Sequence, residues 1–177
     1  MGHVLLAGGG EFGGAMAEPD RRAIVLAGGT ESQIDIIPAA AAPDNNHHRA
    51  GSRGVQWFRN LGATQVVSRR LIDQMSANDA TIAEPLSQAR LIYLLGGFPA
   101  HLANSLTDTR SWHSMTQAYE TGGVLGGSSA GAKGSEYRGA EEESGGVFPS
   151  HVRMIPMPDR GESARAEIFP FYRWSPC

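Results

Sequence analysis

The sequence predicts a three-layer α/β sandwich around a mostly parallel sheet. Three observations carry that prediction. Short apolar runs alternate with stretches of helical pattern along the chain. The runs are apolar on both faces, as strands covered by helices on either side must be. Three of them end in glycine-rich turns, at Gly8 to Gly10, Gly96-Gly97 and Gly126 to Gly131. Ligand sites of such sheets gather at the carboxyl ends of the strands.

Val4 to Ala7 reads as a buried strand stopped by glycines. Pro19 opens a helix that closes at Gly28-Gly29, although Ala23 to Ala27 also fits a strand period. Ile34 to Ala40 is a second strand. Pro43 to Arg53 is polar and reads as a loop, and Gly54 to Leu61 as the end of a helix closed by Gly62. Thr64 to Val67 is a third strand. Leu91 to Leu95 is the clearest strand of all. Pro99 to Leu106 and Trp112 to Glu120 have helical patterns, and Val124 to Gly127 forms a last short strand.

A chain of 177 residues fits a single domain, 1–177, without a linker or internal repeat. Such a domain buries roughly 70% of its unfolded surface, enough for a real core. Apolar residues make up 41% and charged residues 19%, a globular composition. The net charge of −3 offers no basic field for a nucleic acid. No run approaches the ~18 apolar residues of a membrane span. The first residues lack the basic region and apolar length of a signal peptide. The single cysteine, Cys177, excludes an internal disulfide and suits a reducing cytoplasm.

The strongest chemical signal is Gly127-Ser128-Ser129-Ala130-Gly131. It fits G-x-S-x-G, a turn that exposes a serine between a strand and a helix. Small neighbours are required there, because the turn crowds the adjoining elements. The turn also leaves the amide of Ala130 aimed at a developing oxyanion. Gly97, at a neighbouring strand end, is placed to supply the second donor. The bland alternative is a small-residue turn that only joins two elements.

The residues resemble the serine peptidases related to aspartyl dipeptidase and cyanophycinase. The matching pieces are Leu-Leu-Ala-Gly-Gly-Gly-Glu at the start, Ile-Ile-Pro-Ala-Ala after the second strand and Trp57 to Gly62. Leu-Ile-Tyr-Leu-Leu-Gly-Gly-Phe at 91–98 and Gly-Ser-Ser-Ala-Gly-Ala at 127–132 complete the series. The resemblance covers about residues 2 to 132. It implies a class I glutamine amidotransferase-like (flavodoxin-like) fold, with Ser129 as nucleophile and Gly97 and Ala130 as oxyanion hole. It also implies chemistry without metal or organic cofactor, on a small aspartate-containing peptide or a β-aspartyl link.

From 133 to 177 the chain departs from that pattern. Gly134 and Gly139 weaken the helix expected after the serine. A serine needs a base within reach. Downstream of Ser129 the histidine available is His151, which also reads as an exposed loop residue. The orienting acid is left open among Glu136 and Glu141 to Glu143. A catalytically inactive or truncated binding domain of the same fold is therefore the alternative. The expected partner is a small peptide, with neither nucleic acid nor membrane; a homodimer is left open.

Two weaker signals are set aside. Gly8, Gly10 and Gly13 fit G-x-G-x-x-G, but Pro19 delays the helix and no acidic residue closes the second strand. His47-His48 lies beside Asp44 without a third ligand at useful spacing, so no metal is expected there.

Overall fold

The computed structural model describes residues 2–8 and 10–129, together with the backbone of 166–170. Strands β1 (His3–Ala7), β2 (Ile34–Ile37), β3 (Val66–Ser68), β4 (Leu91–Leu94) and β5 (Val124–Ser128) run parallel. A sixth, β6 (Ala166–Pro170), pairs antiparallel with β1, from His3↔Pro170 to Ala7↔Ala166. The sheet order is β3-β2-β4-β5-β1-β6. The expected three-layer, mostly parallel sandwich is the fold.

Helices cover both faces. On one lie α1 (Ala17–Leu26) and α2 (His47–Asn60), burying Ile24 and Phe58 against Leu5, Ile34, Ile36 and Tyr93. On the other lie α3 (Gln74–Ala77), α4 (Ala80–Leu86), α5 (Pro99–Leu106) and α6 (Arg110–Glu120). Their Leu86, Leu102 and Met115 pack with Ile37, Ile92 and Leu94. Alternate residues of β4 thus feed two cores, which explains why the strand is apolar throughout.

The helices at Pro99 and after Arg110 lie where the pattern places them, and Ala23 to Leu26 is helical rather than extended. The stretch 43–53 is a correction. From His47 onward it is helix, not loop. Ahead of Phe58, its inner face is made by Gly51 and Gly54 instead of large apolar residues. A Cβ on Gly54 would lie 2.9 Å from Ile36 Cγ2 and 3.1 Å from Phe12 Cζ. Small residues let this helix sit close on the sheet, and they also erase its apolar signal. The second strand is likewise shorter than expected: Ala39–Ala41 turns into a 3-10 helix behind Pro38.

The stretch 69–90 adds two short helices, each started by an aspartate. Asp73 accepts from Ser76 N–H at 2.7 Å, and Asp79 from Thr81 N–H at 2.8 Å. Such side-chain acceptors satisfy amides that the first helical turn leaves unpaired. Those hydrogen bonds hold the Asp73 carboxyl below the ordinary aspartate range. Among the described residues, no helix is long and apolar enough to cross a membrane.

Candidate active site

The site is built from three strand ends that lie side by side, those of β4, β5 and β1. At the end of β5 the backbone breaks at Ser129, which has φ 47 and an exposed side chain. A non-glycine residue in the left-handed region is strained, and such strain collects at functional sites. Ser129 N–H donates to Ala7 O at 3.0 Å, so β1 fixes the bend from beneath.

Room for the bend comes from glycines. A Cβ on Gly96 would lie 3.1 Å from Ser129 Cβ, so the serine stands directly beside the β4 turn. Gly97 has φ 145, and a Cβ there would lie 2.1 Å from Ala40 O. Only glycine satisfies both demands. The same Ala40 carbonyl accepts from Phe98 N–H at 2.8 Å. Gly96 N–H donates to Glu11 Oε2 at 3.1 Å. Among the described residues nothing accepts from Gly97 N–H, which leaves it the open donor of this exposed turn. Gly126, within β5, serves packing instead. A Cβ there would lie 2.8 Å from Tyr93 Cδ2, so the glycine makes way for the tyrosine ring.

Ala130 and His151 lie outside the described residues, as do Glu136 and Glu141 to Glu143. Of the proposed site, the structure therefore describes Ser129 and Gly97 and brings their two turns together.

One neighbour of the Ser129 turn, the glutamate that closes the Leu-Leu-Ala-Gly-Gly-Gly-Glu piece, was not singled out in the sequence. Glu11 sits on the turn after β1 and accepts from Ser128 Oγ as well as Gly96 N–H. Its signal was present all the same: an acidic residue directly follows the glycine triplet, at the same sheet edge as Ser129.

Beneath this edge lies a buried acidic layer. Asp20, on α1, is 0% exposed and accepts from Trp57 Nε1 at 2.7 Å. Burial pushes its carboxyl up to about 7; the Trp57 hydrogen bond opposes that, and the Glu11 charge adds to it. Tyr93, 0% exposed, has its phenol pushed up by burial and by the charges of Asp20 and Glu11. Asp20 Oδ1 is buried without a hydrogen-bond partner among the described residues, and a hydrogen bond with Ser128 opposes the upward push on the Tyr93 phenol.

His47, His48 and His101 have local partners of their own. His47 and His48 are neighbours in the first turn of α2, with ring centroids 4.3 Å apart. Desolvation and the nearby positive groups of His48 and Arg70 lower the His47 pKa. His101, on α5, meets Ile72 O at 2.7 Å and serves packing. Among the described residues, no three His, Cys, Asp or Glu side chains are gathered as metal ligands.

Comparison with known proteins decides the family. The model of peptidase family S51 matches residues 4–144. The chain belongs to peptidase family S51. A cyanophycinase from Geminocystis herdmanii (strain PCC 6308) is 32% identical over 130 residues, which is 73% of this chain and 47% of that protein. The S51 chain thus spans about half the length of this curated relative. A solved peptidase from an acI-B1 Actinobacterium superposes with TM-score 0.70 at 30% identity, over 76% of this chain and 56% of that one. A putative peptidase E protein from Listeria monocytogenes EGD-e shares the fold, with TM-score 0.56 at 18% identity, over 75% and 60% of the two chains.

Proposed function

We propose that this S51 chain is a serine hydrolase that cleaves a small aspartate-containing peptide or a β-aspartyl link, with Ser129 as nucleophile. The observation that carries the proposal is the exposed, left-handed Ser129 beside a glycine turn with one open amide. The relative named a cyanophycinase supports the β-aspartyl side of the substrate class. A dipeptide substrate and a cytoplasmic setting belong to the same proposal.

In the proposed reaction, Ser129 Oγ attacks the scissile carbonyl carbon while its proton passes to a base. The carbonyl oxygen becomes an oxyanion held by the amides of Gly97 and Ala130. Collapse of this intermediate breaks the C–N bond, and the amine leaves with the proton. Water then hydrolyses the acyl-enzyme by the same route. His151 is the proposed base. Loss of one oxyanion donor from such a site costs about 3 kcal/mol of transition-state stabilisation.

A fluorophosphonate probe tests the nucleophile, because it labels only a serine with an activated oxygen. The expected result is labelling at Ser129 that vanishes in Ser129→Ala and falls strongly in His151→Ala. A folded chain that takes no label is the inactive binding domain instead.

A further inference from the structure

The nucleophile turn and the open amide sit on different strands, so something must hold their relative position. Glu11 is placed for that work. Its Oε2 accepts from Gly96 N–H, the residue directly before Gly97. The same oxygen accepts from Ser128 Oγ, the residue directly before Ser129. A single carboxylate oxygen therefore grips the residue preceding each of the two groups the reaction needs. Ser128 is 0% exposed, so this hydrogen bond to Glu11 is shielded from water.

The segment that presents Glu11 is itself braced. Gly13 N–H donates to Gly10 O at 3.0 Å, closing a four-residue turn around Glu11 and Phe12. Phe12 has φ 60, a costly conformation for a bulky residue. Its ring is wedged between Trp57, with centroids 6.2 Å apart, and Tyr93, at 6.0 Å. Gly54 of α2 leaves the space that ring occupies. Strain of this kind persists only where the surroundings over-determine it. Phe12 is thus an anchor that sets the height of Glu11 above the sheet.

We propose that Glu11 is a positioning residue for the reaction: it ties the ends of β4 and β5 so that Ser129 Oγ and Gly97 N–H meet one carbonyl group. The inference rests on the nucleophile reading given above. Glu11 does not touch the substrate in this role. A merely structural staple would support the fold without setting the alignment, and the two differ in what they change.

The test compares Glu11→Ala and Glu11→Gln with the wild-type chain. Misplacement of catalytic groups by about 1 Å costs on the order of 100-fold in rate. Fluorophosphonate labelling of Ser129 should slow about 100-fold in Glu11→Ala. In peptide hydrolysis the loss should appear in kcat, with KM little changed. Glu11→Gln keeps an acceptor oxygen and should recover most of the rate. Glu11→Ala labelled within about threefold of wild type while folded overturns the proposal, and so does a loss confined to KM. If Glu11→Ala does not fold, Ser128→Ala removes one of the two ties and is read the same way.

Amide exchange at Gly96 separates this inference from the nucleophile reading. Where the wild-type chain takes no label, the nucleophile reading falls and the catalytic role of Glu11 falls with it. Where the wild type is labelled and Gly96 exchanges equally fast with and without the Glu11 carboxylate, the nucleophile stands and the tie is refuted.

Discussion

Ser129 holds a left-handed backbone that costs an L-residue about 1 kcal/mol, and the hydrogen bond from its N–H to Ala7 O on β1 keeps it there. Ser129→Gly should relieve it. Part of the gain returns to the unfolded chain as entropy, so the net stabilisation should be about 0.5 kcal/mol. The expected outcome is a thermal midpoint raised by roughly 1–2 °C in calorimetry, with probe labelling lost entirely. Gly97 behaves in the opposite sense. Gly97→Ala drives a Cβ into Ala40 O and demands φ 145 of an alanine, so it should destabilise the fold by about 3 kcal/mol or more in urea unfolding. The sharp turn at Ser129 was legible in the sequence because the small residues around it, Gly127, Ala130 and Gly131, leave room for a tight strand end. Glu11 carried only a weak signal, as the acidic residue that closes the opening glycine piece, and its place beside Ser128 and Gly96 emerges only once the strands are assembled.

At the scale of elements, α2 depends on two glycines that a helix would ordinarily avoid. Each costs about 1 kcal/mol relative to alanine. The close packing they allow over Ile36 and Ser68 compensates. Gly54→Val should press on Ile36 and displace Phe12, costing about 2 kcal/mol in denaturant unfolding. Probe labelling should fall with it, since Phe12 braces the turn that carries Glu11. This is also where the sequence misleads. Its polar stretch from His47 to Arg53 conceals a helix because the buried face is made of small residues. The strands from Leu91 and Val124 were readable because both of their faces are buried and apolar. Helices begun by Asp73 and Asp79 are too short for periodicity to mark them, though their caps are in plain view.

Across the whole molecule, two cores share one sheet, and both depend on β4. The buried Asp20 gives this fold a stability that depends on pH. Its carboxyl keeps a proton up to about 7 in the folded chain, against 3.8 for an ordinary aspartate. Between those values the unfolded chain binds fewer protons, so stability falls as pH rises. The loss attributable to Asp20 is at most about 4 kcal/mol. Glu11 and Tyr93 are the other titratable groups that act on it, and Trp57 donates to it. Asp20→Asn carries no charge and keeps an acceptor for Trp57. Urea unfolding should show it gaining on the wild-type chain from pH 5 to pH 8; an advantage that does not grow over that range would refute the assignment. A different consequence follows from the Ala40 carbonyl, on which Gly97 leans and to which Phe98 N–H is bonded. Residues 38–41 act as the footing for the Gly97 half of the proposed reaction centre. A library meant to alter substrate choice should leave their length alone, since one inserted residue there would carry an amide away from the serine while every group assigned to the chemistry stayed in the sequence.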